Sequence, residues 1–149
     1  MGLPRALKAH QEGDLVLAEQ HYKRAQEQDE SNPVIYQNYG ALLRSLQRPQ
    51  EAESLYLKGL SLHPDHLGIN TNLANLLRKN NPASAIERYI HVFRLHISNG
   101  EIMSSDKVAS VVNDIVTILR DHGLNAWALS PLLFSLILPC DLGKTPCGS

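Results

Sequence analysis

The chain predicts an all-α fold, a stack of antiparallel helical hairpins, and three observations carry that expectation. Ala18, Tyr22 and Ala25 recur as Ala52, Tyr56 and Gly59, each 34 residues further on. A small–aromatic–small pattern at that period is the mark of stacked helix pairs. Ala52 and Tyr56 recur again as Ala85 and Tyr89, 33 residues on, so a third copy is present with one residue lost. No alternation of apolar and polar residues, the sign of a strand, competes with the helical period in this region.

Punctuation divides the chain into elements. A first short helix runs from about Leu3 to Gln11 and stops at Gly13; Asp14 can cap the next, which reaches about Gln28. Asp29, Glu30, Ser31 and Asn32 form a polar turn, and Pro33 stands at a natural first helical position. The second pair is Pro33 to Leu46, then Pro49 to a stop before His63 and Pro64. The third pair is Leu67 to Lys79, then Pro82 to His96. Beyond a polar connection, Ser98 to Ser105, a helix is expected over Asp106 to His122, with Ser104 or Ser105 as cap. Its apolar positions Val108, Val111, Val112, Ile115, Val116 and Leu119 keep a helical period. Gly123 and Ala128 stand five apart, as Gly13 and Ala18 do, and place Leu132 where Tyr22 fell. This reads as a degenerate fourth hairpin. Pro131 either breaks its second helix or, with Ser130, starts a separate piece. Trp127, Phe134 and Ile137 form an apolar patch there, either a capping element or the stub of a longer protein.

Small residues have a mechanical role. Antiparallel helices approach closely only where side chains are small, so Gly40 and Ala74 are expected to face Ala52 and Ala85. Tyr22, Tyr36, Tyr39, Tyr56 and Tyr89, with Leu43, Leu73 and Leu77, then fill the space between hairpins. A lone hairpin cannot bury that face, and stability needs neighbours.

Tyr36, Tyr39, Gly40, Leu43, Ala52, Tyr56, Gly59 and Pro64 fall on the eight signature positions of the tetratricopeptide repeat (TPR), which this stretch resembles. The first copy matches through Ala6, Gly13, Ala18, Tyr22 and Ala25, the third through Leu73, Ala74, Leu77, Ala85 and Tyr89. The resemblance implies a right-handed superhelical TPR solenoid of three repeats plus a degenerate fourth hairpin. The expected division is residues 1–32, a clipped first repeat; 33–66, the second; 67–99, the third; 100–138, the fourth hairpin or capping helices; and 139–149, a flexible tail.

Composition narrows the function. Apolar residues make 43% and charged residues 19% of the chain, with a net charge of −1, so no global basic field points to nucleic acid or an anionic membrane. Neither a signal peptide nor a membrane span is read: the most apolar stretch, Leu124 to Leu138, is short and holds Pro131. Cys140 and Cys147 lack metal or redox spacing. His91 and His96, five apart, turn away from one another on a helix, and His63 and His66 sit in a turn, so no metal is expected. Gly143, Lys144 and Thr145 lack the earlier glycine and following helix of a phosphate-binding loop. No catalytic constellation, cofactor or enzyme activity is expected, and the compartment is taken as cytoplasmic.

A stack of this type leaves its first helices lining a concave groove. The groove positions are Gln37, Asn38, Ala41, Arg44 and Ser45 in the second repeat, and Thr71, Asn72, Asn75, Arg78 and Lys79 in the third. Asn38 with Asn72, and Arg44 with Arg78, repeat at 34 and are expected to form ladders. Amide side chains match the paired N–H and C=O of an extended peptide, and an arginine row favours carboxylates or phosphates. The asparagine ladder resembles that of O-GlcNAc transferase TPR regions, which implies backbone reading of unstructured peptides. The TPR clamp of chaperone co-factors is less similar. Asn38 stands where that clamp has Asn, but Leu3 and Leu7 replace a Lys and an Asn, and Gly68 and Asn72 replace a Lys and an Arg. The expected function is a non-catalytic scaffold or adaptor that binds an extended acidic peptide of a protein partner. The alternative is the targeting or substrate-presenting region of a larger glycosyltransferase- or methyltransferase-type enzyme. Self-association through the last hairpin is a further expectation.

Overall fold

The computed structural model describes residues 2–98 and 105–123. Seven helices follow one another, with no strand among the described residues: α1 (Gly2–Gln11), α2 (Leu15–Gln28), α3 (Pro33–Ser45), α4 (Pro49–Leu62), α5 (Leu67–Leu77), α6 (Pro82–Ser98) and α7 (Ser105–Asp121). The second half of the fourth hairpin, with Trp127, Pro131, Phe134 and Ile137, lies outside the described residues, as do the tail and both cysteines.

Local chemistry sets the helix starts. Asp14 Oδ1 accepts from the Leu17 amide at 3.0 Å, and Asn32 Oδ1 from the Val34 amide at 3.1 Å. Pro33, Pro49 and Pro82 open α3, α4 and α6, where a missing N–H leaves no hydrogen bond unmade. The cap of α5 escaped the sequence reading: His66 Nδ1 accepts from the Ile69 amide at 3.3 Å. Burial, and then the neighbouring His63, lower the His66 pKa, which keeps that lone pair available.

The hairpin turns show how the period is kept and where it slips. Gly13 has φ +81° and Gln47 has φ +60°. The two stand 34 residues apart, so the second turn repeats the left-handed backbone of the first without its glycine. After α5 the turn differs. The Leu77 carbonyl accepts from Asn80 at 3.1 Å and from Asn81 at 2.8 Å, and no residue there has a positive φ. The residue missing from the third copy is absorbed at this point.

The helices α1 and α2, α3 and α4, and α5 and α6 pack as pairs. Successive pairs join through α2 with α3 and α4 with α5; α3 also touches α5, and α7 leans on α6. Tyr22, Tyr36, Tyr56 and Tyr89 are fully buried, and Tyr22 stacks on Tyr39 with ring centres 5.7 Å apart. Small residues here make room for rings. A Cβ on Gly40 would stand 2.2 Å from the Tyr56 ring, and one on Gly59 2.7 Å from Tyr36. Gly40, expected to face Ala52, therefore has an aromatic ring as its nearest neighbour. Asn70 is fully buried among these groups. Its amide donates to the carbonyls of Pro64 at 2.8 Å and His66 at 3.2 Å, while its oxygen accepts from Arg88 at 3.2 Å.

On α7 the apolar stripe is turned from the expected one. Ile118 is buried and Val111, Ile115 and Leu119 pack on the core. Val112 and Val116 are 50% and 51% exposed. Positions 111, 115, 118 and 119 share one helix face, and 112 and 116 lie about 100° round from 111 and 115.

Candidate functional site

The ends of α3, α5 and α7 enclose a cleft of about 740 Å³, lined by Arg44, Asn75, Leu76, Arg78, Lys79, Ile118, Asp121 and His122. The structure thus gathers four of the ten expected groove residues, Arg44, Asn75, Arg78 and Lys79, around one space. The other six lie on the same two helices but engage their own surroundings. Asn38 donates to the Val34 carbonyl at 2.9 Å, Ser45 to Leu42 at 2.7 Å and Thr71 to Leu67 at 2.9 Å. The Gln37 side chain fills the place that a Cβ on Gly68 would take, and Ala41 is half-buried. Asn72 reaches across from α5 to the Gln37 carbonyl on α3, at 3.4 Å. Asn38 and Asn72 therefore meet different kinds of acceptor: one carbonyl is in its own helix, the other in a neighbour.

The arginines also differ. Arg78 Nη1 pairs with Asp114 Oδ1 of α7 at 3.1 Å, and the Arg78 carbonyl bonds His122 Nε2 at 3.0 Å. Arg44 and Lys79 are exposed and form no ion pair among the described residues. Asn75 accepts a 2.6 Å hydrogen bond from the Tyr89 hydroxyl of α6. That bond fixes its carbonyl and leaves the amide N–H groups as donors. The cleft accordingly offers two cations with no ion pair among the described residues, an oriented amide and an apolar wall from Leu76 and Ile118, with one carboxylate, Asp121, 3.7 Å from Arg120 at its rim.

The contribution of α7 was missed from sequence: Asp114 lies 36 residues from Arg78, and no repeat spacing links them. Tyr56 was read only as core, although its hydroxyl is buried with no hydrogen-bond partner among the described residues. Burial pushes its pKa up to about 12, while Arg44 and the Asn72 amide pull the other way. Asn72 thus lies close by, short of hydrogen-bond geometry. The histidines weighed as metal ligands have other contacts: His63 Nε2 meets the Ser31 carbonyl, and His91 Nε2 is 3.3 Å from Asp65. No three metal-ligating side chains gather among the described residues, and none of the described helices is long and apolar enough to cross a membrane.

Helix pairs packed through small residues and buried tyrosines, with first helices bordering a cleft, define a TPR solenoid. No protein-family model matches the chain, and no curated protein does. Among solved structures it is similar to the first TPR domain of Spaghetti (RPAP3). The TM-score is 0.67 at 18% identity, over 80% of this chain and 89% of that one.

Proposed function

We propose that this chain is a non-catalytic adaptor whose cleft holds an extended, acidic peptide segment of a protein partner in the cytoplasm. The observation that supports this most is the pair of cations, Arg44 and Lys79, that stand at one cleft with no ion pair among the described residues. Cations in a partly enclosed site form charge-assisted bonds with carboxylates about twice as strong as neutral ones. Asn75 adds donors for a peptide carbonyl, and Leu76 and Ile118 accept an apolar side chain. The Spaghetti (RPAP3) domain is described as bound to the HSP90 peptide SRMEEVD, which carries three acidic residues and belongs to the same ligand class. The terminal-carboxylate clamp is not part of this reading. At its positions Leu3 and Leu7 pack on the core, and Gly68 lies beneath Gln37.

The test is an array of unstructured peptides probed with the whole chain and with Arg44→Glu/Lys79→Glu. Arg78 is left intact because it holds α7 through Asp114. Acidic peptides should bind the wild type and lose about tenfold or more in affinity with the variant, with little change in Tm. Equal binding by both proteins would overturn the proposal.

A further inference from the structure

Three repeat-equivalent tyrosines each project from the second helix of a pair, and their hydroxyls end differently. Tyr22 lies 3.3 Å from His10 Nδ1, and Tyr89 donates to Asn75 at 2.6 Å. The middle one, Tyr56, has no hydrogen-bond partner among the described residues, although a buried hydroxyl left unsatisfied is costly.

Its surroundings indicate what would satisfy it. The Tyr56 ring crosses α3 at Gly40. Gln37, Gly40 and Arg44 fall at i, i+3 and i+7, on one face of that helix. Asn72 meets the same face at the Gln37 carbonyl, and Arg44 at its end has no carboxylate partner among the described residues. Donor groups from α3, α4 and α5, the Arg44 guanidinium, the Tyr56 hydroxyl and the Asn72 amide, thus converge with no carboxylate among them. We propose that Tyr56, Arg44 and Asn72 form a subsite for one acidic side chain of the bound peptide. The Tyr56 hydroxyl donates to the carboxylate once the exposed Arg44 side chain swings aside to pair with it. This inference rests on the peptide-binding reading above and names the residue that selects Glu or Asp over their amides.

Tyr56→Phe tests it, because the change removes only the hydroxyl. With the tightest acidic peptide from the array, Tyr56→Phe should bind about tenfold more weakly, while its Tm stays level or rises as an unsatisfied buried group is lost. The same peptide with Gln and Asn in place of Glu and Asp should show a smaller difference between the two proteins, because a hydrogen bond to a neutral amide is about half as strong as one to a carboxylate. Equal affinity of wild type and Tyr56→Phe for the acidic peptide overturns the subsite. If Arg44→Glu/Lys79→Glu still abolishes binding in that case, the groove reading survives. Should the array return no acidic peptide, both fall together.

Discussion

Gly40→Ala probes the fold where the Tyr56 ring of α4 lies against α3. In an ordinary helix the change is favourable by about 1 kcal/mol, since alanine is the better helix former. Here the added Cβ would lie 2.2 Å from one Tyr56 ring carbon and 2.6 Å and 2.8 Å from two more. Normal carbon contacts begin near about 3.5 Å, so the ring must retreat by roughly an ångström. Tyr56 is fully buried, so its ring can retreat only by displacing packed neighbours. Overpacking of this kind costs about 1–3 kcal/mol, and a clash with three ring atoms belongs at the upper end. The net expectation is a loss of about 1–2 kcal/mol, which lowers Tm by roughly 3–8 °C. Thermal unfolding followed by far-ultraviolet circular dichroism measures it. The change should become neutral or stabilising when combined with Tyr56→Leu, because the ring is gone. A higher Tm for Gly40→Ala alone would show that the Tyr56 contact does not set the spacing of α3 and α4.

Two further outcomes follow from local geometry. Gln47 holds a left-handed backbone at φ +60°, which costs a non-glycine residue about 1–2 kcal/mol. Gln47→Gly should stabilise by about 0.5–1 kcal/mol after the added chain entropy of glycine, and a lowered denaturation midpoint would contradict this. Arg48 bridges Glu19 at 2.9 Å and Glu51 at 2.5 Å. Burial raises the Glu19 pKa, but hydrogen bonds from Lys23 and Arg48 outweigh it and hold it low; the Arg48 bond likewise depresses Glu51. A depressed folded pKa gives stability that is present above the ordinary value of 4.5 and lost as pH falls through the folded one. The Tm gap between wild type and Arg48→Met should therefore narrow from pH 6 to pH 3, and a constant gap would rule the network out as its source.

Much of the fold was legible because helix pairs are local objects. Pro33, Pro49 and Pro82, the caps Asp14 and Asn32, and the 34-residue recurrence of small and aromatic residues all act within a few turns of chain. A single sequence displays them directly. The site was legible only as far as helix faces go. Periodicity put Arg44, Asn75, Arg78 and Lys79 on the bordering helices, yet it treated Arg44 and Arg78 as equivalents and Asn38 and Asn72 as rungs of one ladder.

Secondary structure, the pairing of helices and the burial of the tyrosines follow from sequence periodicity. These depend on periods of 3.6 and 34 that recur wherever the same packing problem is solved. Only the stacking of the pairs sets which of the described groups meet: Arg78 pairs with Asp114 and Arg44 with no described carboxylate, Gly40 seats a ring, and the Tyr56 hydroxyl has no partner among the described residues. The reason is physical. Hydrogen bonds and ion pairs are satisfied or broken over distances of less than an ångström, between groups on different helices. No repeat spacing encodes that distance; it is set when the pairs stack.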